Sequence, residues 1–509
     1  MKEVKNMTKK TFGVIGVCGA NGNLIARILN QRGYDVIGTD LSFAEECRFI
    51  KSLEGYDIEL YYGETPDEFF EKSDYIVPPA SLSKKSPIFQ KIGDSLFELN
   101  DVIEKFEPDK PVFGITGTNG KTTTTTLLKK IAYDNGIQPS EHGLENMQGN
   151  AEYIPILQSR LDGDVAILEV GTFGVPGTVK RIVKNSNIHS GLITNINPDH
   201  LNDLGSFMDY AHVKGEFIDE LNGKQLIVNG QDPTIMGLLK EYNFKGDLIT
   251  FGVDGTFDRI NPKECICGRE IKVKELISGC GYYFCPCGIT TPQVDYIATN
   301  IDLKNRTFDL HTPDEKLTVK MAIDGLHNVY NIIGVIIAAH EFLKLPYDKI
   351  LESISTFSGV EGRMEKVAEI NSKEVYVDYA HNPAGVQTVL SQFKNLFGDF
   401  TCVITVSSES GEDGDLKIFN NALEFSKYVV PASVPSQKIA HELILKDSSL
   451  AERIIFDSVD DFVKNGTLGA SYGEVKEGIE KALGCDCNLV VAIGEAATKF
   501  KSCVDDLNE

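Results

Sequence analysis

The stretch Gly114-Ile-Thr-Gly-Thr-Asn-Gly-Lys-Thr-Thr123 constrains the chain more than any other. Lys110-Pro-Val-Phe113 ahead of it reads as a short apolar strand that starts after a proline, and the Leu and Ile spacing of residues 124–132 reads as a helix. A strand, a glycine-rich turn and a helix opening on Gly-Lys-Thr-Thr form a phosphate cradle. Backbone N–H groups and the positive helix end face the anion, Lys121 reaches the outer phosphates, and Thr122 offers a hydroxyl to Mg²⁺. The general pattern wants glycine five places before Gly120, where this chain has Ile115. The competing reading is a glycine turn that merely starts a helix. Five successive threonines, Thr122 to Thr126, are β-branched and poor helix formers, which argues for more than a structural role. A nucleoside triphosphate site is the favoured reading.

Around that stretch, 509 residues exceed one typical core, and three domains are expected: 1–108, 109–351 and 352–509. A net charge of −24 argues against nucleic acid or an anionic membrane as the main partner, although a local basic pocket can still hold an anionic substrate. The longest apolar run, from Val329 to Leu343, is interrupted by polar residues and falls short of a membrane span. The first seven residues have charges but no apolar core behind them, so no secretory signal is expected and a cytoplasmic location is. Of eleven cysteines, five lie between Cys265 and Cys287; that clustering favours a metal site over a disulfide scaffold.

The chain opens with a strand at residues 11–17, a turn carrying Gly16, Gly19 and Gly22, a helix through Asn30 and a second strand ending at Asp40. That is a Rossmann-like βαβ unit with an acid near the expected ribose position. A glycine turn needed only for tight strand–helix packing explains the pattern equally well. Residues 73–80 read as a later strand ending in a proline turn. In the central region, Asp164-Val-Ala-Ile-Leu-Glu-Val170 is an apolar strand whose Glu169 is placed to hold the Mg²⁺ of a triphosphate. The strand from Ser190 runs into a polar loop with Asp199 and His200. His200 is a metal-ligand candidate, but a loop histidine beside an aspartate is more often a turn residue. Lys214 lies on a predicted helix and, taken alone, reads as a solvated lysine.

Jointly, Thr116-Gly-Thr-Asn-Gly-Lys-Thr-Thr123, Glu169, Thr194-Asn-Ile-Asn-Pro-Asp-His-Leu201 and Lys214 resemble the Mur ligase family. So do Gly325-Leu-His-Asn-Val-Tyr-Asn331, Gly359-Val-Glu-Gly-Arg-Met-Glu365 and Asp378-Tyr-Ala-His-Asn-Pro383. The resemblance covers residues 111–385 and is looser ahead of them. It implies an α/β, three-domain architecture: a Rossmann-like N-terminal domain, a central P-loop ATPase domain and a Rossmann-like C-terminal domain. It also implies that Gly117, Thr118, Asn119, Gly120, Lys121, Thr122 and Thr123 bind ATP. Thr122 and Glu169 would hold a first Mg²⁺, and His200 a second. Lys214 would be carbamylated into a metal-binding carboxylate. Asn328 and Asn331 would face the adenine, and Arg363 and Asp378 the nucleotide. Substrate would meet Gly16, Gly19, Gly22 and Asp40 in the first domain and His381 and Asn382 in the last.

Residues 261–290 are an insert in which Cys265, Cys267, Cys285 and Cys287 look like two knuckles of a zinc ribbon. Four thiolates hold Zn²⁺ tetrahedrally and would staple a segment lacking its own core. Both pairs have one intervening residue rather than two, and Cys280 is a fifth candidate ligand. An iron–sulfur site and free thiols are the competing readings. The ribbon is similar to that of MurT-type ligases, which partner a glutamine amidotransferase. The N-terminal domain and the Asp378-Tyr-Ala-His-Asn-Pro383 loop instead resemble the archaeal pseudomurein peptide ligases.

The C-terminal region alternates strands and helices, with an acidic loop at Glu409, Glu412, Asp413 and Asp415 that reads as a solvated charge run or, alternatively, as an amine site. The Asp-Asn-Pro-Arg loop that selects the amino acid in some family members is absent; the region reads Val429-Val-Pro-Ala-Ser-Val-Pro435. The leading expectation is an ATP-dependent ligase that adds an amino acid to a UDP-linked cell-wall peptide through an acyl phosphate. The alternatives are an amidating subunit working with a glutamine amidotransferase, and a non-catalytic nucleotide-binding scaffold.

Overall fold

The computed structural model describes residues 10–144, 152–199, 205–255, 259–277, 279–407, 410–456 and 470–508. They fall into two compact units, one of Met1–Thr116, Ala132–Thr172 and Gly177–Gly191, the other of Gly117–Ile131, Phe173–Pro176 and Leu192–Glu509.

In the first unit, Thr11–Ile15 is an apolar run with β-branched residues, and such runs form strands buried on both faces. It pairs in parallel with Asp35–Asp40 and Tyr75–Val77, and Ile58–Tyr62 completes a four-stranded parallel sheet. The helix Ala20–Gln31 buries Leu24, Ile25, Ile28 and Leu29 against Phe12, Val14 and Val36. Val112–Thr116 pairs in parallel with Ala166–Glu169, which sets Glu169 opposite Ile115. Arg160 is fully buried, and its guanidinium donates to the carbonyls of Ile156, Ile103 and Asn185. The cysteine count pointed away from disulfides, yet Cys18 and Cys47 are bonded here. They lie 29 residues apart, and the fold of the opening βαβ unit brings them together.

The second unit holds three groups of strands. Gln225–Asn229, Asp247–Val253 and Tyr296–Asp302 run parallel, and Thr307–His311 and Lys316–Lys320 add antiparallel strands. The helix Leu326–Glu341 is buried continuously from Asn328 to Ala339. An all-round apolar helix belongs inside a protein, and this accounts for the longest apolar run in the sequence. The strands Arg259–Glu264, Glu270–Ile277 and Cys280–Tyr283 make a small antiparallel sheet. The last group has the order Glu365–Ile370, Lys373–Asp378, Leu489–Ile493, Thr401–Ile404, Tyr428–Pro431, parallel except at its first strand.

The acidic segment differs from its expected loop. The helix Gly411–Phe425 carries Glu412 and Asp413 in its first turn, where carboxylates complement the helix dipole, and Asp415 is buried. Glu409 lies outside the described residues. No helix among the described residues is long and apolar enough to cross a membrane.

Candidate functional site

The helix Lys121–Asp134 begins directly after Gly120, so its first-turn N–H groups have no partner within the helix. Two glycines make this turn attainable. Gly117 has φ +142°, and a Cβ there would sit 2.0 Å from Thr194 Oγ1. Gly120 has φ +87°, and its Cβ would sit 2.3 Å from Asn331 Oδ1. Side chains are excluded at both positions by backbone geometry and by space. Lys121 folds back so that its Nζ donates to Thr118 O at 2.9 Å. Of the five threonines, Thr122 and Thr123 line a cleft, whereas Thr124 and Thr125 are buried. The unfavourable helix composition therefore has a buried part and a part that faces the cleft.

The loop after Ser190–Ile193 is stitched to this turn. Thr118 N donates to Asn195 O at 2.8 Å, Asn119 N to Asn195 Oδ1 at 3.1 Å, and Asn197 N to Thr118 Oγ1 at 3.0 Å. Thr194 Oγ1 and Asn195 Nδ2 both donate to Asn119 O. Thr118 Oγ1 also lies 3.3 Å from the hydroxyl of Tyr210, whose pKa is pushed far up by burial and then by Asp199. One helical turn on, Lys214 is fully buried with its Nζ 5.7 Å from the Tyr210 ring centroid. The solvated-lysine reading of Lys214 is thus overturned by packing. His200 lies outside the described residues.

The C-terminal sheet contributes the opposite wall. Pro383 occupies the first turn of the helix Pro383–Phe397, and Asn382 caps it by accepting from Gly385 N at 2.8 Å. Asn382 also exchanges amide hydrogen bonds with Asn119, at 3.0 and 3.3 Å, and donates to Asp199. Asp378 is buried and accepts from Met364 N and Ala380 N; burial raises its pKa, with Arg363 pulling it back down. Arg363 stacks over Tyr379 at 5.1 Å, and His381 Nδ1 lies 3.0 Å from Tyr379 O.

Between these walls is a cleft of about 750 Å³ that reaches from Gly120 and Thr122 past Asn328 and Asn331 to Arg363 and Asp378. Asn331 Nδ2 donates to Asn328 Oδ1, and Asn328 Nδ2 to Asp324 O. Asp324 in turn takes a two-pronged contact from Arg306. His327 has its pKa lowered to about 4 by burial and then by Arg363, so it is a neutral imidazole near pH 7. The structure thus brings together Gly117 to Thr123, Asn328, Asn331, Arg363, Asp378 and Asn382. Thr194, Asn195 and Asn197 stood in the sequence only as part of a family motif, and neither they nor Tyr210 had been given a role. A polar run directly after a buried strand was the available signal for the first three.

In the first unit, the Asp40 carboxylate braces the predicted substrate turn. Asp40 Oδ2 accepts from Cys18 N at 2.9 Å and Oδ1 from Ser42 N at 3.0 Å. A Cβ at Gly22 would fall 2.2 Å from Gly16 O, so that glycine is required by packing, while Gly19 precedes the helix as its N-cap. Glu169 ends its strand half-buried.

In the insert, the Sγ atoms of Cys265, Cys267, Cys285 and Cys287 all lie within 4.8 Å of one another. This donor set suits a tetrahedral thiolate site. Cys280 is not among them. It is buried elsewhere, accepts from Asn229 Nδ2 at 3.3 Å, and lines the cleft.

Two family descriptions match the chain: Mur ligase middle domain over residues 115–339, and Mur ligase, glutamate ligase domain over residues 362–475. A pseudomurein peptide ligase type C from Methanothermus fervidus superposes with a TM-score of 0.83 at 34% identity, covering 98% of this chain and 100% of that one. This chain belongs to the Mur ligase family. As a Mur ligase it has the three-domain α/β fold and is an ATP-dependent ligase that forms carbon–nitrogen bonds. Two further relatives are a UDP-N-acetylmuramate–L-alanine ligase from Rickettsia bellii and a UDP-N-acetylmuramoylalanine–D-glutamate ligase from Caldicellulosiruptor bescii. The first is 27% identical over 77% of this Mur ligase and 74% of its own length; the second is 27% identical over 85% of each. Equal likeness to relatives named for different amino acids identifies the reaction type without selecting the substrate.

Proposed function

We propose that this Mur ligase adds an amino acid to the peptide of a UDP-linked cell-wall precursor of the pseudomurein type, through an acyl phosphate. The observation that carries the reading is the cradle at Gly117 to Thr123, where both glycines exclude a side chain and Lys121 and Thr122 open the helix. The likeness to the Methanothermus fervidus pseudomurein peptide ligase supports the substrate class.

In this scheme the precursor carboxylate attacks the γ-phosphorus of ATP, the bond to the β-phosphate oxygen breaks, and ADP leaves. The amine of the amino acid then attacks the acyl carbon, inorganic phosphate departs, and the nitrogen loses a proton as the amide forms. Lys121 neutralises charge on the transferring phosphoryl group. Thr122, Glu169, His200 and a carbamylated Lys214 would hold Mg²⁺, which supplies charge neutralisation between two mutually repelling anions. Asn328 and Asn331 bind the adenine, with Arg363 and Asp378 contacting the nucleotide from the C-terminal sheet. Gly16, Gly19, Gly22 and Asp40 belong to the precursor-binding turn, and His381 and Asn382 to the substrate-facing loop. Zn²⁺ in the four-thiol cluster has a structural role. The scheme is organised in three domains, 1–108, 109–351 and 352–509.

The test is ADP release by the purified protein with ATP and Mg²⁺ across a panel of amino acids, with and without UDP-linked peptide acceptors. Release that requires both an acceptor and one amino acid supports the reading and names the substrate. Release driven by ammonia or glutamine instead overturns it in favour of an amidating enzyme.

A further inference from the structure

A buried lysine joins the thiol-bearing insert to the phosphate-loop partner segment. Lys263 precedes Cys265 by two residues on the strand Arg259–Glu264, and its side chain is only 9% exposed. Its Nζ donates to Asp232 Oδ1 and to Ile196 O, both at 3.1 Å. Asp232 is itself fully buried, and its other oxygen accepts from Ile196 N at 2.7 Å. Both backbone polar groups of Ile196 are therefore held by this ion pair, the N–H by the acid and the carbonyl by the base. The neighbouring residues Asn195 and Asn197 are the ones that lock Thr118 and Asn119.

Nothing about a fold staple requires this connection. The insert has its own anchors on the same unit: Tyr283 Oη donates to Gly230 O at 3.0 Å, Gly281 N to Gln231 O at 2.9 Å, and Lys240 Nζ to Cys287 O. It also has a small apolar cluster containing Ile271, Val273 and Ile289. Lys263 lies apart from those anchors and reaches the segment beside the P-loop.

We propose that Lys263 is a positioning residue for catalysis: through Asp232 and Ile196 it fixes the 194–199 segment, and so makes the thiol insert part of the active-site framework. Asp199, which takes a contact from Asn382, lies at the end of the segment so fixed. The inference rests on the ligase reading only for its turnover arm.

The experiment compares wild type with Lys263→Met and Lys263→Arg in the full chain. Three things are measured: amide hydrogen exchange of a peptide spanning residues 195–199, zinc content, and kcat with the KM for ATP. The expected result for Lys263→Met is faster exchange confined to that peptide and unchanged zinc content. Its kcat should fall on the order of ten- to a hundredfold, as misplacement of catalytic groups produces, with a smaller change in KM. Lys263→Arg, which keeps charge and donors, should recover most of both readouts. Wild-type protection at 195–199 in Lys263→Met overturns the proposal. So does protection lost throughout the insert together with zinc, which would make Lys263 a structural residue alone. Should Lys263→Met not fold, Lys263→Gln carries the same comparison. If wild type shows no ligase turnover, the ligase reading has failed, and the exchange arm still decides the role of Lys263.

Discussion

Two glycine-rich turns in this chain look alike as strings of letters, and they differ in what occupies their N–H groups. At the first, the Asp40 carboxylate sits on Cys18 N and Ser42 N, and Gly22 lies against Gly16 O. At the second, asparagines and threonines brace Thr118 and Asn119 from the side, while the helix start at Lys121 opens onto a large cleft. A turn whose polar groups are met by a carboxylate from its own sheet keeps its shape before any precursor arrives. A turn braced from outside, with a lysine and a hydroxyl at the helix start, has the features an anion site requires. Glycine count does not separate the two; the partners of the flanking residues do.

The largest expected break of this contrast is Lys121→Ala, which should lower kcat/KM for ATP by at least about a hundredfold, as loss of a single transition-state donor does elsewhere. Steady-state ADP release reads it, and thermal stability should stay near wild type. Gly120→Ala should nearly match it, because the new methyl meets Asn331 and the backbone has φ +87°. Calorimetric titration with ADP should show weakened binding.

At the first turn, proposed to meet the precursor, the effects should move from kcat to stability and to the KM for the precursor. Asp40→Ala removes the carboxylate that accepts hydrogen bonds from two backbone N–H groups, expected to cost about 1.5–3 kcal/mol in urea unfolding. A kcat within about twofold of wild type at saturating substrate would sharpen the contrast, whereas a kcat loss like that of Lys121→Ala would break it. Gly16→Ala, also at positive φ but facing only Pro79 at 3.4 Å, should cost about 1–2 kcal/mol in the same assay.

The smallest effect concerns pH. His327 sits in the cleft with its pKa near 4, below the ordinary 6.5, so the folded state binds fewer protons there than the unfolded one. Its contribution to stability is complete above pH 6.5 and is lost as pH falls toward 4. His327→Gln should flatten the acid limb of a Tm-against-pH curve in that window and leave the limb above pH 7 unchanged.

Much of the cleft was legible because the residues that line or brace it stand in tight local order. Gly117, Gly120, Lys121 and Thr122 lie within six consecutive positions, and Asn328 and Asn331 share one helix. Local spacing also exposed the four thiols, since the members of each pair are two positions apart and all four come together. What depended on distant partners was not legible. Lys214 read as solvated because a lone lysine on a helix ordinarily is, and its burial comes from packing within the unit. Asp415 read as part of a charge run, yet the helix Gly411–Phe425 turns it inward. Cys18 and Cys47 were counted among odd thiols until the βαβ fold brought them together.

The sequence by itself determined the kind of chemistry, because a phosphate cradle is made by consecutive backbone groups and their immediate side chains. It also determined the family, through motifs whose order survives divergence. Only the tertiary structure decided which polar groups are already engaged: Asp40 with its own turn, Asn382 with Asn119, and Lys263 with Ile196 and Asp232. Those pairings join residues 22 to 263 positions apart. A hydrogen bond acts over about 3 Å, and no local pattern in a chain encodes which distant atom will arrive there.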